Sequence, residues 1–180
     1  VADLASKHSV EADESRFGSA LRELLGHCSE GARVIVDVAR SEPALFIDGV
    51  LSEVVELVRL TALPGEEDLD PDLIFAGRAV RDDPGTISDA ILEGLSTSFA
   101  SAARREPRAL DRWLDPLGAS SSDTIAFILL DAWAHVPEEY ATKIIDFLAR
   151  DARRLDVGYA ISGSGGHAGS FVSRTAIERA

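Results

Sequence analysis

The chain has 180 residues, 46% of them hydrophobic and 27% charged. These values suit one globular domain with a real core and argue against bulk disorder. A net charge of −13 and a pI near 4.6 set the surface against phosphate backbones and anionic lipid, which disfavours nucleic acid and membrane as partners.

No apolar run approaches the roughly 20 residues of a membrane span, and no basic-then-apolar leader opens the chain. Cys28 is the only cysteine, so an internal disulfide is impossible and a reducing cytoplasm fits. Of the eighteen basic residues all but Lys7 and Lys143 are arginine, and Asn, Gln and Met are absent. That usage points to a GC-rich bacterial gene, with a halophilic origin as the alternative. Without methionine, and ending at Ala180 inside a helical pattern (Phe171, Val172, Ala176, Ile177), the chain reads as a piece of a larger protein.

In chain order, residues 1–14 are weakly patterned and predict a loose N-terminal arm; 15–180 predict a single α-helical repeat domain. Ser15 can cap a helix bearing Phe17, Leu21, Leu24 and Leu25, ended by Gly26. A helix over 30–40 is expected to turn Val34, Ile35 and Val38 inward. Pro43 opens a long helix to Leu63 whose apolar band includes Ile47, Val50, Leu51, Val54, Leu57 and Val58. Pro64-Gly65 breaks it, and an acidic loop follows (Glu66, Glu67, Asp68, Asp70). Pro71 is expected to open a short helix with Leu73, Ile74 and Phe75. After the breaker Asp83-Pro84-Gly85, a helix sets Ile87, Ile91, Leu95 and Phe99 in one row. Pro107 opens another, with Leu110, Trp113, Leu114 and Leu117 inward and Gly118 at its end.

The strongest helical period follows a serine linker (Ser120 to Ser122): Ile125, Ile128, Leu129, Ala132, Trp133 and Val136. Pro137 starts its partner, with Glu138 and Glu139 in the dipole-favoured first turn and Tyr140, Ala141, Ile144, Ile145, Phe147 and Leu148 on a wide apolar face. Strand signals are weak throughout. Prolines 43, 71, 107 and 137 each open a helix at intervals of roughly 30 residues, close to the period of helix-pair repeats. The expected fold is therefore all-α: stacked antiparallel helical hairpins of the HEAT/TPR-like α-solenoid kind, or alternatively a compact helical bundle.

The chemistry-bearing patterns are thin. There is no P-loop, and Gly163-Ser164-Gly165-Gly166 lacks its lysine and preceding strand. Asp68, Asp70 and Asp72 imitate the start of a calcium loop, but its central glycine and its final glutamate are missing. His8, His27, His135 and His167 form no metal-binding spacing, and adjacent His27-Cys28 would point apart on a helix. No GxSxG elbow surrounds any serine. Catalytic, cofactor and metal residues are therefore expected to be absent. Two arginine clusters remain, Arg104, Arg105, Arg108, Arg112 and Arg150, Arg153, Arg154. On neighbouring hairpins they could line one edge and hold an anion or a partner; alternatively they pair with acids such as Asp111, Asp115, Asp146 and Asp151.

Several features of the second half carry a resemblance: Leu129 to Trp133 (Leu-Leu-x-x-Trp), Pro137 to Tyr140 (Pro-Glu-x-Tyr), Asp151 to Leu155 (Asp-x-Arg-Arg-Leu), Gly158-Tyr159 and a final Ser/Thr-Arg helix. From about Ser96 to Ala180 the chain resembles the helical-repeat regions of large bacterial STAND-like NTPases, in which a nucleotide switch is joined to a C-terminal helical sensor array. The Gly/Ser-rich stretch after Tyr159 departs from that pattern. The family's ATPase residues match nothing here. The resemblance implies a non-catalytic, cytoplasmic module that meets a protein partner or neighbouring domains of its own chain, without a cofactor. The alternatives are a small intracellular enzyme with a site assembled from distant residues, an acidic nucleic-acid mimic, and a self-associating helical module.

Overall fold

A computed structural model describes residues 29–65, 69–75, 86–158 and 172–180. Among these residues there are seven α-helices, three short 3₁₀ segments and no strand; the only extended pairings among them are the isolated bridges Ala62–Asp72 and Asp70–Ser122. The expected helix opened by Ser15, the arm 1–14, the breaker at 83–85 and the glycine-rich stretch 163–166 lie outside the described residues.

Helix α1 (Ser29–Ser41) buries Ala32, Val36 and Ala39, with Ile35 half-buried, while Val34 and Val38 are 61% and 46% exposed. The expected inward set is thus rotated toward the small residues. The cause is close approach to α3, whose Ala90 and Gly94 face this side. A Cβ on Gly94 would sit 3.2 Å from the Ala39 Cβ and 2.8 Å from the Phe46 ring, so a bulkier interface would push the helices apart. Ser98 Oγ donates to Ala39 O across the same seam at 3.2 Å.

Helix α2 (Pro43–Thr61) begins with its proline where the missing N–H is harmless. It buries Phe46, Ile47, Leu51, Val54 and Val58, close to the expected band; Val50 and Leu57 are half-buried. The segment opened by Pro71 is not helical over its described part. Instead Asp72 turns its carboxylate back onto the chain, accepting from Ile74 N (2.8 Å) and Phe75 N (2.5 Å). That local bond competes with a helix start. Its other oxygen accepts from Thr124 Oγ1 at 2.5 Å, which fixes the turn against α5.

Helix α3 (Ile87–Arg105) is capped by Thr86, whose side chain accepts from Asp89 N at 3.1 Å. Leu95 and Phe99 of the predicted row are buried, and Ile87 and Ile91 are half-buried. The single helix expected after Pro107 is broken into a 3₁₀ turn (Pro107–Leu110), the short α4 (Asp111–Leu114) and another 3₁₀ turn (Asp115–Leu117). Pro116 has no N–H for an α-helical bond here, which favours the tighter turn.

Helix α5 (Asp123–Ala134), capped by Ser122 on Ile125 N, buries ten residues from Thr124 to Ala134. Apolar all round, it lies in the middle of the fold. Helix α6 (Pro137–Ala149) follows a tight turn and buries Tyr140, Ile144, Phe147 and Leu148. Helix α7 (Val172–Arg179) buries Ser173 and Ala176 and packs on α5 and α6. Gly158, with φ of 82°, could not carry a side chain: a Cβ would meet Val172 at 2.9 Å and Phe127 at 3.1 Å.

The layout follows from these faces. Helices α1 and α2 both lie on α3, α3 leans on the 107–110 turn and on α5, and α5 carries α6 and α7. Strictly sequential hairpin stacking would make α1 against α2 a leading contact; here α1 lies chiefly along α3. One continuous apolar cluster runs from Ala39 to Ala176.

Candidate functional site

Members of the two arginine clusters meet α6 at opposite ends. Arg108 Nε donates to Glu139 at 2.6 Å, which places it by the N-terminus of α6. Arg150 lies three turns further along that helix, about 16 Å away. Within each cluster the roles diverge. Arg112 stacks over the Trp113 ring at 3.9 Å and lies 4.0 Å from Asp48. Arg153 forks onto Asp151 at 2.8–3.2 Å. Arg154 is buried, with its guanidinium 3.8 Å over Phe147 and donating to Phe147 O and Ser120 O. Burial lowers its pKa from the usual arginine value, and its role is that of a strut. Arg104, Arg105 and Arg150 are exposed.

One cleft gathers charge. It lies between the 111–118 segment and α6, holds about 210 Å³, and is lined by Leu114, Asp115, Trp133, Lys143, Asp146 and Arg150 among others. Lys143 Nζ bridges Asp111 (2.7 Å) and Asp115 (2.8 Å). Burial opposes the charge on both Lys143 and Asp111, but their mutual hydrogen bond prevails: Asp111 is held below the usual carboxylate range and Lys143 above the usual amine range. Tyr140 donates its hydroxyl to Pro107 O at 2.8 Å, and burial together with the Asp111 charge raises its pKa well above the ordinary phenol value. Such a lysine is a fully protonated cross-tie, a poor base or nucleophile. The Trp133 indole N–H is buried without an acceptor among the described residues, between Tyr140, stacked at 6.4 Å, and Phe147, edge-on at 5.4 Å.

A second constellation joins residues distant in sequence. Ser96 Oγ on α3 lies 3.3 Å from His135 Nε2 at the end of α5, and Asp131 Oδ2 lies 3.6 Å from the same nitrogen. The trio has the composition of a nucleophile–base–carboxylate relay but not its wiring. A relay needs serine and carboxylate on opposite ring nitrogens; here both meet Nε2. The Asp131–His135 spacing of i, i+4 was visible in the sequence, whereas the meeting with Ser96 depends on how α3 crosses α5.

The acidic loop that imitates a calcium site is occupied by its own protein groups. Asp70 accepts from Gly65 N at 3.0 Å and from Ser121 Oγ, and Asp72 is held as described above; Asp68 lies outside the described residues. Among the described residues no group of three or more His, Cys, Asp or Glu side chains is placed to hold a metal.

A strongly apolar surface lies elsewhere. A channel of about 300 Å³ runs between α1, α2 and α3, walled by Ile35, Phe46, Val50, Val54, Leu57 and Ile91, with Phe75 at one side. Among the described residues its only charged lining group is Glu53. Around it Leu45 and Leu60 stand 68% and 60% exposed. The sequence hint was the breadth of the apolar band on α2, wider than one buried face requires.

No protein-family model matches the chain, and no curated protein or solved structure matches it significantly. Among the described residues no helix is long and apolar enough to cross a membrane.

Proposed function

We propose that the chain is a non-catalytic, all-helical interaction module, part of a larger bacterial signalling or defence ATPase of the STAND-like kind, working in the cytoplasm on a protein partner or on neighbouring domains. The observation that carries this reading is a contrast in how side chains are used. Charged groups in the second half tie elements together: Lys143 to the 111–115 segment, Arg108 to α6, Arg154 to the chain before α5. On α1 and α2, Val34, Leu45 and Leu60 stand 60–68% exposed, beyond the 43–48% of Ile145, Leu155 and Ile177 in the second half, and an open channel lies beside α2. Exposed apolar surface of that kind marks contact sites. The acidic charge favours protein over nucleic acid as the partner.

The test is retention of partners from phage-infected and uninfected bacterial cells by the wild type and by a Leu45→Asp, Leu60→Asp double variant. Both positions are exposed, so the fold should survive. A partner held by the wild type and lost by the variant supports the reading. Identical sets of retained proteins would overturn it.

A further inference from the structure

The channel between α1, α2 and α3 has features that narrow what could fill it. Its length along α2, from Phe46 to Leu57, is about three helical turns, or roughly 17 Å. Its wall is aliphatic and aromatic, which excludes a highly polar ligand. Its apolar surface continues outward on both sides. On α1, Val38 follows Ile35 by three residues, so exposed Val38 extends the Ile35 side of that helix. On α2, Gly49, Glu53 and Leu60 fall in one row at i, i+4 and i+11, so exposed Leu60 extends the channel at its far end.

Two residues set the specificity. Gly49 opens the row: a Cβ there would meet nothing within 4 Å, so the helix accepts a residue that weakens it in order to leave space. Glu53 is a carboxylate at the lip of an apolar channel, exposed and, among the described residues, engaged in no ion pair or hydrogen bond. Two nearby acids are handled differently: Asp37 has Arg40 and Glu56 has Arg59. An isolated negative charge beside a long apolar trough complements an amphipathic helix with apolar anchors at i, i+3/i+4 and i+7 and one cation at its edge.

We propose that this channel receives an amphipathic helix of a partner protein, apolar on its buried face and carrying a lysine or arginine that meets Glu53. The proposal rests on the interaction reading above and specifies its partner. The anchors fill the space over Gly49, and the cation sets the register and direction of the bound helix.

The experiment uses the full chain and two fluorescein-labelled helical peptides with identical leucine anchors, one with lysine at the edge position and one with glutamate, read by fluorescence anisotropy. The wild type is expected to take the lysine peptide at least tenfold more tightly than the glutamate peptide. Gly49→Leu, which fills the channel from inside, should weaken the lysine peptide by about tenfold or more, equivalent to at least about 1.4 kcal/mol. Glu53→Lys should reverse the order of the two peptides. Retained secondary structure and an unfolding midpoint no lower than wild type in both variants separate blockage from misfolding.

Several results would overturn the proposal: no saturable binding of the lysine peptide up to about 1 mM, equal binding by wild type and Gly49→Leu, or no reversal with Glu53→Lys. Binding that emerges only after Leu21→Asp would assign the channel to the chain's own 15–26 segment. A concentration-dependent dimer lost in Gly49→Leu would assign it to a second copy. Either would also sink the partner helix. A flat peptide titration, alongside partner retention that still depends on Leu45 and Leu60, would remove the channel helix and leave the broader interaction reading standing.

Discussion

Helices α2 and α5 are both strongly apolar, yet they live in different surroundings. Helix α5 is enclosed on every side by α3, α6 and α7 and by the chain before it. Helix α2 rests one face on α3 and meets Trp113 through Asp48, while other apolar residues of it border an open channel or stand in solvent. The comparison teaches that hydrophobicity reports a capacity for contact and leaves open whether the contact is inside the chain. For α5 it is satisfied within the chain. For α2, among the described residues, it is in surplus, and that surplus is what the functional reading uses.

The sharpest way to break this contrast is to truncate one leucine in each region. Leu129 on α5 is 0% exposed and Leu45 on α2 is 68% exposed. Leu129→Ala removes buried methyl groups and leaves a cavity, which costs about 2–5 kcal/mol. Leu45→Ala should stay within about 0.5 kcal/mol of wild type. Urea unfolding followed by circular dichroism measures both. Similar losses at the two positions would mean that α2 is as enclosed as α5.

A pair of helical glycines sharpens it further. Gly94 sits where α1, α2 and α3 meet, and an added methyl would press on the Phe46 ring at 2.8–2.9 Å. Gly94→Ala should therefore destabilise by about 1–3 kcal/mol, despite the better helix propensity of alanine. Gly49 faces open space, so Gly49→Ala should stabilise by up to about 1 kcal/mol. The prediction lies in the opposite signs. Two substitutions with the same sign would show that the channel wall is closed at Gly49, or that the α1–α3 seam is loose at Gly94.

The all-helical class and most of the core were legible from residue patterns, and particular failures show the reason for the rest. The period from Ile125 to Val136 located α5 because its apolar residues recur at helical spacing. On α1 the same logic chose Val34 and Val38, because hydrophobicity ranks valine above alanine. The structure chose Ala32 and Ala39, because distance between helix axes is set by the smallest side chains on the seam. At 107–117 the apolar residues were assigned correctly as a group, but Pro116 limits how far an α-helix can run. The arginine clusters show that neighbours in sequence can play separate parts. Arg153 pairs at the surface while Arg154 lies buried over Phe147. The channel was hidden because a wide apolar band on one helix does not say what its neighbours leave uncovered.

The smallest expected effect concerns the stitch between the two regions. Asp70 accepts from Ser121 Oγ, just before α5, and from Gly65 N, just after α2. Those bonds, with the Ser121 contribution the larger, hold its carboxyl below the usual aspartate range. A carboxyl with a depressed folded pKa binds fewer protons folded than unfolded. Its stabilisation is therefore complete above the unfolded value, about pH 3.9, and is lost as pH falls through the lower folded value. Asp70→Asn cannot carry the charge, so wild type should exceed the variant most near pH 6–7, and the gap should narrow below about pH 4. Asp111 and Asp151 are depressed in the same direction and will weaken both proteins in acid, so the informative quantity is the difference between the two urea midpoints across pH. Because Asp70 is only partly buried, solvent screening keeps that difference modest. A gap that stays constant from pH 7 to about pH 3 would show that the Asp70 charge does not join the region bearing the channel to the enclosed one.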